Sequence, residues 1–212
     1  HIGIQQIAKF CADNNIIFIH ISTDFLFDGK KGLYIETDPT NPINNYGESK
    51  ALGEFAIQKF CKRHIIIRTS WLYSHLETKN NFLFKIKSLA LQDNQILFGA
   101  DDIFGSPTSS LNLAEGINEL LKSIDEYDFS HKLFHFSDLG SVSRFTFLNE
   151  IIKKLNLKFN LTNSVQPTQN SHFNLIAPRP QNTSLNPNLF SETFKFKLQD
   201  WKKALNKTIE LV

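Results

Sequence analysis

A parallel α/β sheet followed by a smaller C-terminal lobe is the architecture this sequence predicts, and three observations predict it. Two apolar, β-branched runs, Ile16–Ser22 and Ile65–Ser70, have the composition of parallel strands buried on both faces. Segments of helical periodicity precede and separate these runs, the alternation from which parallel sheets are built. Beyond Leu157 the chain becomes rich in Asn, Pro and Ser, so the alternation ends there and a lobe of different character begins.

Taken in order, the first helix covers Ile4 to Asn14, with Ile4, Ile7, Ala8 and Cys11 on one stripe, and Asp13-Asn14-Asn15 closes it as a turn. The strand Ile16–Ser22 follows, then a loop through Asp28-Gly29-Lys30-Lys31-Gly32. After the Pro39 and Pro42 stretch, a helix runs from Tyr46 to about Lys62 with Ala51, Leu52, Phe55, Ala56 and Phe60 turned inward. The basic cluster Lys59, Lys62, Arg63 and His64 reads as the solvated end of that helix. Next come the strand Ile65–Ser70, a helix over Asn81–Leu91, a short strand over Gln95–Phe98, a helix over Leu111–Ser123 and a strand over Lys132–Ser137. A helix from Arg144 to Leu155 is opened by Ser141 or Ser143 as cap. Leu157 to Phe190 reads as extended and looped, and a last helix covers Leu198–Leu211.

Composition narrows the function classes. With 41% hydrophobic and 21% charged residues, the 212-residue chain can bury a core, and a net charge of +2 argues against nucleic acid or an acidic membrane as partner. No apolar run is long enough to span a bilayer, and His1-Ile2-Gly3-Ile4 has no signal-peptide layout. Cys11 and Cys61 have neither metal-type nor redox-type spacing, so no metal site is expected and a reduced, cytoplasmic compartment is the simpler reading. The 20 phenylalanines read as core packing, and His20, between Ile19 and Ile21, as structural.

Chemistry concentrates in Tyr46-Gly47-Glu48-Ser49-Lys50. Tyr and Lys four residues apart lie one above the other on a helix face, where an ammonium favours phenolate over phenol. Tyr46 can then donate a proton to a carbonyl oxygen, with Lys50 as electrostatic partner. Many exposed helices carry this spacing by chance. What adds specificity is Ser22-Thr23 at the C-terminal end of a buried strand, where open α/β sheets hold their ligands, followed by a proline-flanked loop into the helix.

These segments carry a family resemblance. His20 through Gly29, Glu36 to Pro39, Pro42, Tyr46 to Glu54, Arg68-Thr69-Ser70-Trp71-Leu72-Tyr73, Gly105-Ser106-Pro107-Thr108 and Ala177-Pro178-Arg179-Pro180 together resemble the dTDP-4-dehydrorhamnose reductase family. The resemblance covers nearly the whole chain. It implies a doubly wound, NAD(P)-binding Rossmann-like sheet with a small C-terminal substrate lobe. Residues 1–98 would form the C-terminal part of the Rossmann-like domain, and residues 99–212 a mixed region with the substrate-binding lobe and closing elements.

It further implies a Thr23, Tyr46, Lys50 triad reducing the 4-keto group of a 6-deoxy-sugar nucleotide with NADPH (or NADH). Ser22, Tyr46, Lys50 and Ser70 would face the cofactor. Asp24, Phe25, Trp71, Ser106, Thr108 and Arg179 would face the substrate, the Trp71 indole lying against the sugar and Arg179 suiting a phosphate. The family opens with a strand, a glycine-rich turn and a helix that cradle the cofactor pyrophosphate, and no such motif occurs among the nine glycines here. The expectation is therefore an N-terminally incomplete sheet that by itself neither binds NADPH well nor turns over. The nucleotide sugar is the expected partner, and a homodimer is compatible with the sequence.

Dehydratases and epimerases of nucleotide sugars are the nearest alternatives. A dehydratase needs a second carboxylate after the aspartate that follows the threonine, and Phe25 stands there. A non-catalytic regulatory subunit on the same fold is the alternative from another class.

Overall fold

The computed structural model describes residues 2–78 and 81–212. Helix α1 (Ile2–Asp13) leads into β1 (Phe18–Thr23), α2 (Asn45–Phe60) and β2 (His64–Thr69). The chain continues through β3 (Leu72–Tyr73), α3 (Phe82–Ala90), β4 (Ile96–Ala100), β5 (Phe104–Gly105) and β6 (Thr108–Ser109). Then come α4 (Ser110–Ser123), β7 (Leu133–Phe136), β8 (Val142–Ser143), α5 (Arg144–Phe159), β9 (Ser164–Thr168), α6 (Asn188–Phe194) and α7 (Trp201–Glu210).

The principal sheet is parallel with order β1-β2-β7, and its register sets Thr23 opposite Thr69 and Thr69 opposite Phe136. Alternation along β2 sends Ile66 to one face, where Ala8, Cys11, Ile57 and Cys61 from α1 and α2 cover it. Ile65 and Ile67 point the other way, onto Leu113 and Leu120 of α4 and Phe190 and Phe194 of α6. Both faces are therefore dry, which is why β2 reads as an unbroken apolar run. The doubly wound expectation holds.

A second core lies outside the sheet. Phe147, Leu148, Ile151, Ile152 and Leu155 make one buried stripe of α5, packed against Leu83 and Ile86 of α3 and Trp201 and Leu205 of α7. Ser143 caps α5 by accepting from the Thr146 amide (3.1 Å), and Asn160 ends it in the left-handed region at φ 54°.

Several boundaries differ from the sequence expectation. Helix α2 stops at Phe60 because the next apolar residues belong to the sheet; His64 is buried at the start of β2, not on a solvated helix end. Helix α5 continues to Phe159. The stretch from Leu157 to Phe190 is not simply looped: β9 pairs in parallel with β4 from Ile96↔Ser164 to Ala100↔Thr168. The last helix, α7, begins at Trp201, an additional helix, α6, precedes it, and a line drawn after residue 98 falls inside β4. No helix among the described residues is long and apolar enough to cross a membrane.

Candidate active site

Strands β1 and β2 end together, so Ser22, Thr23, Asp24, Thr69 and Ser70 gather at one edge of the sheet, the edge at which such sheets bind ligands. All five are buried. Thr23 caps the 3-10 turn Asp24–Leu26 by accepting from the Phe25 amide (3.3 Å), and its hydroxyl donates to Asp24 Oδ1 (3.2 Å). Asp24 Oδ2 accepts from Ser70 Oγ (2.7 Å) and from Thr183 Oγ1. Burial pushes the Asp24 carboxyl above its ordinary range, while the Thr183 and Ser70 hydroxyls and the Arg144 charge pull it back. Ser22 Oγ and Thr69 Oγ1 are buried without a hydrogen-bond partner among the described residues, unusual enough to mark a place where a bound group would complete them.

Helix α2 brings the Tyr-Lys pair to this edge. Asn44 is its N-cap, accepting from the Gly47 amide through Oδ1 (2.9 Å). Gly47 is required by a close approach: a Cβ there would overlap the Phe25 carbonyl oxygen and stand 2.9 Å from the Pro42 Cβ. The turn after β1 and the first turn of α2 are thereby locked together. Tyr46 remains 56% exposed, its ring edge-on to Phe25 at 5.9 Å. Lys50 Nζ donates to the Ile21 carbonyl oxygen (3.0 Å) and to His20 Nε2 (3.3 Å). An ammonium can only donate, so the imidazole accepts and its own proton sits on Nδ1. Burial, reinforced by the Lys50 charge, lowers the His20 pKa to about 4, which keeps the ring neutral; burial also lowers that of Lys50, with Glu54 opposing.

The sequence reading of His20 as purely structural therefore omits a direct contact with Lys50. Alternation along β1 was the available signal, since it sets Phe18, His20 and Ser22 on one face.

Beside this edge opens a cavity of about 670 Å³ whose lining includes Trp71, Phe98, Arg144, His172, Phe173 and Arg179. Its walls are mainly apolar, with two guanidinium groups as the cationic features. Trp71 is held at φ +43°, a strained conformation for a bulky side chain. Its indole is 9% exposed, lies against Gly105, and carries the Arg144 guanidinium 3.6 Å above the ring centroid. One face of the indole expected to meet a sugar is thus covered by Arg144, a residue the sequence reading missed because the first residue of a helix carries no special pattern. Burial lowers the Arg144 pKa to about 10, with Asp24 acting against the fall and Arg179 adding to it.

Ser106 and Thr108 are not brought to the cavity. Both are fully enclosed, Ser106 Oγ accepting from the Leu185 amide (3.2 Å) and Thr108 Oγ1 donating to the Ser106 carbonyl oxygen (3.4 Å). Thr23, Tyr46, Lys50, Ser22, Ser70, Asp24 and Phe25 meet at the sheet edge, while Trp71 and Arg179 belong to the cavity.

Comparison with known proteins fits this geometry. The family model described as the RmlD substrate binding domain matches residues 1–212. The chain belongs to that family. Among curated RmlD relatives, the dTDP-4-dehydrorhamnose reductase of Escherichia coli (strain K12) is 30% identical over 214 residues, covering 98% of this chain and 69% of its own length. The spore coat polysaccharide biosynthesis protein SpsK of Bacillus subtilis (strain 168) is 32% identical over 196 residues, covering 91% and 64% respectively. The crystal structure of dTDP-4-dehydrorhamnose reductase from Bacillus anthracis in complex with NADP superposes with a TM-score of 0.87 at 28% identity, covering all of this chain and 71% of that one. A dTDP-glucose 4,6-dehydratase from the same organism, 15% identical with a TM-score of 0.77, shares the fold.

Proposed function

We propose that this RmlD-family chain carries the proton-donating and substrate-binding residues for NADPH-dependent reduction of the 4-keto group of a dTDP-4-dehydro-6-deoxy sugar. The observation that carries the reading is the convergence of Thr23, Tyr46 and Lys50 at the strand-end edge, beside a cavity with two arginines. The relatives' names supply the sugar, and the NADP-bound neighbour supplies the cofactor.

A nicotinamide cofactor supplies the hydride when bound. The unpartnered hydroxyl of Ser22 and the half-buried ammonium of Lys50 fit such a group, and with Tyr46 and Ser70 they would hold it, although the Ser70 hydrogen is already given to Asp24. Tyr46 Oη donates its proton to the carbonyl oxygen as the C4 carbon becomes tetrahedral, and the phenolate regains a proton from solvent. Lys50, fixed by Ile21 and His20, stabilises that phenolate. The Thr23 hydroxyl turns from Asp24 Oδ1 to the same carbonyl oxygen. Asp24 and Phe25 line the site, the apolar walls take the base and sugar, and Arg179 with Arg144 takes the diphosphate. Phe25, where elimination would need a second carboxylate, favours reduction over dehydration.

The same reading assigns residues 1–98 to the cofactor-side domain and 99–212 to the substrate lobe with its closing elements. The nucleotide sugar is the partner and the cytoplasm the compartment, in keeping with two free, buried cysteines. Replacing Tyr46 by Phe in the protein that carries this chain should lower keto-sugar-dependent NADPH oxidation by about a hundred- to ten-thousand-fold. Nucleotide binding should be unchanged. Undiminished turnover in that variant would remove Tyr46 from the chemistry and favour a non-catalytic role.

A further inference from the structure

The loop from Ser171 to Pro180 lies over the cavity and supplies His172, Phe173, Leu175 and Arg179 to its lining. Apart from packing of the His172 ring on Phe98 (centroids 5.3 Å apart), it is weakly fastened. Residues 171–179 are all exposed, and the backbone bonds His172 N→Gln169 O and Asn174 N→Ser171 O hold the loop only to itself and its stem. Among the described residues, one hydrogen bond joins 171–180 to the rest of the fold: Asn44 Nδ2 donates to the Pro178 carbonyl oxygen (3.0 Å). The acceptor immediately precedes Arg179. The donor belongs to the side chain whose Oδ1 caps α2, two residues ahead of Tyr46.

We infer that Asn44 is a positioning residue that ties the Arg179 loop to the start of the Tyr46 helix, so that one side chain sets both the anion-binding arm and the proton donor. The inference rests on the proposed reading of the site and adds to it a residue that touches no reacting atom. Its basis is the two-ended chemistry of a carboxamide. The oxygen is an acceptor and holds the Gly47 amide; the nitrogen is a donor and holds Pro178. An aspartate at this position can only accept. Pro178 and Pro180, which flank Arg179, have fixed φ angles, so a tether at Pro178 defines where the guanidinium stands with little freedom between. Gly29, at φ +79°, allows the stem to approach: a Cβ there would stand 2.7 Å from the Pro180 Cβ, and its carbonyl oxygen accepts from the Asn182 amide (3.0 Å).

The two ends of Asn44 can be cut separately. Asn44→Asp keeps an acceptor for Gly47, and at a helix N-terminus its charge is favourable, but it offers Pro178 no donor. Asn44→Ala removes both bonds. The probes are dTDP, with affinity measured by tryptophan fluorescence, and chymotrypsin, which cuts after Phe173 and Leu175 in a loosened loop. With Asn44→Asp, dTDP binding and KM for the keto-sugar should weaken about tenfold and loop cleavage should accelerate, while kcat and thermal stability stay near wild type. With Asn44→Ala, kcat and stability should fall as well.

Asn44→Asp with wild-type dTDP affinity, or with loop cleavage unchanged, would overturn the inference. So would equal losses of kcat in both variants, because the Tyr46 end would then not depend on the cap that aspartate keeps and alanine removes. A wild-type protein that binds no dTDP would defeat the underlying reading of the cavity, and the inference with it, before any variant is compared.

Discussion

Arg68 in the central strand of the sheet and Arg144 at the cavity wall are both withdrawn from solvent, yet the two regions treat them in opposite ways. Arg68, 4% exposed, is gripped by Glu54 through Nε (3.0 Å) and Nη2 (2.7 Å). Its Nη1 lies 3.5 Å from His135 Nε2, and its guanidinium stands 5.3 Å from the Phe27 ring centroid. Arg144 rests on Trp71; among the described residues its guanidinium forms no hydrogen bond or ion pair, and the Asp24 charge acts on it without direct contact. A charge that serves the fold has its counter-charge built in. Arg144, under the proposed anion-binding role, keeps its donors unspent, and the fold holds it by stacking instead.

Glu54→Gln tests the first half of the contrast and should have the largest effect. Leaving Arg68 buried without its carboxylate should cost about 3–5 kcal/mol, read as a lowered denaturation midpoint. A loss below about 1 kcal/mol would show that Arg68 finds water or another acceptor.

Asp138 sharpens the comparison as a buried carboxylate held by neutral donors alone, the Asn112 amide (2.6 Å) and the Ser109 backbone N–H (2.8 Å). Burial raises its pKa to about 6, the two donors drawing it down. A folded-state pKa above the unfolded value means the proton stabilises the fold. That contribution is complete below about pH 4 and is lost as pH rises through about 6, an effect of about 2–3 kcal/mol. Urea unfolding of wild type and Asp138→Asn between pH 4 and 6.5 should therefore differ in slope, the variant being flatter. Parallel curves would mean the carboxyl titrates normally.

Arg144→Met tests the other half. Stability should stay within about 1 kcal/mol of wild type, because the stacking on Trp71 and the attraction to Asp24 are lost together with the burial cost of the charge. Affinity for dTDP should fall by about ten- to a hundredfold, the worth of hydrogen bonds to a charged group. Unaltered affinity would leave Arg179 as the sole anion contact. The smallest effect is expected at His20, where His20→Leu should lower turnover about tenfold by freeing Lys50 Nζ, and His20→Gln should restore much of it. Equal activity of all three proteins would reduce the imidazole to packing.

The sequence made some of this contrast legible. The isoleucine runs of β1 and β2 announce strands because both faces are covered, and the Tyr46–Lys50 spacing is visible because a helix repeats it. Strand β9 escaped because Ser-Val-Gln-Pro-Thr carries little strand signal and forms only where β4 is waiting. The paired residues of β3 with β6 and β5 with β8 are too short to leave a pattern. His20 was hidden by its isoleucine neighbours, and Ser106 and Thr108 passed for ligand residues although their hydroxyls are spent inside the fold. Whether a polar group is used internally is decided by tertiary contacts, which no local window contains.

The pairing of β4 with β9 bears on how the molecule assembles. Tyr46, Lys50 and their strand come from one compact early stretch, whereas the cavity wall closes only when Ser164 reaches Ile96. Loop-closure entropy makes such distant pairings late events in folding. A chain emerging from the ribosome would thus complete its Tyr46–Lys50 helix well before the cavity beside it had closed.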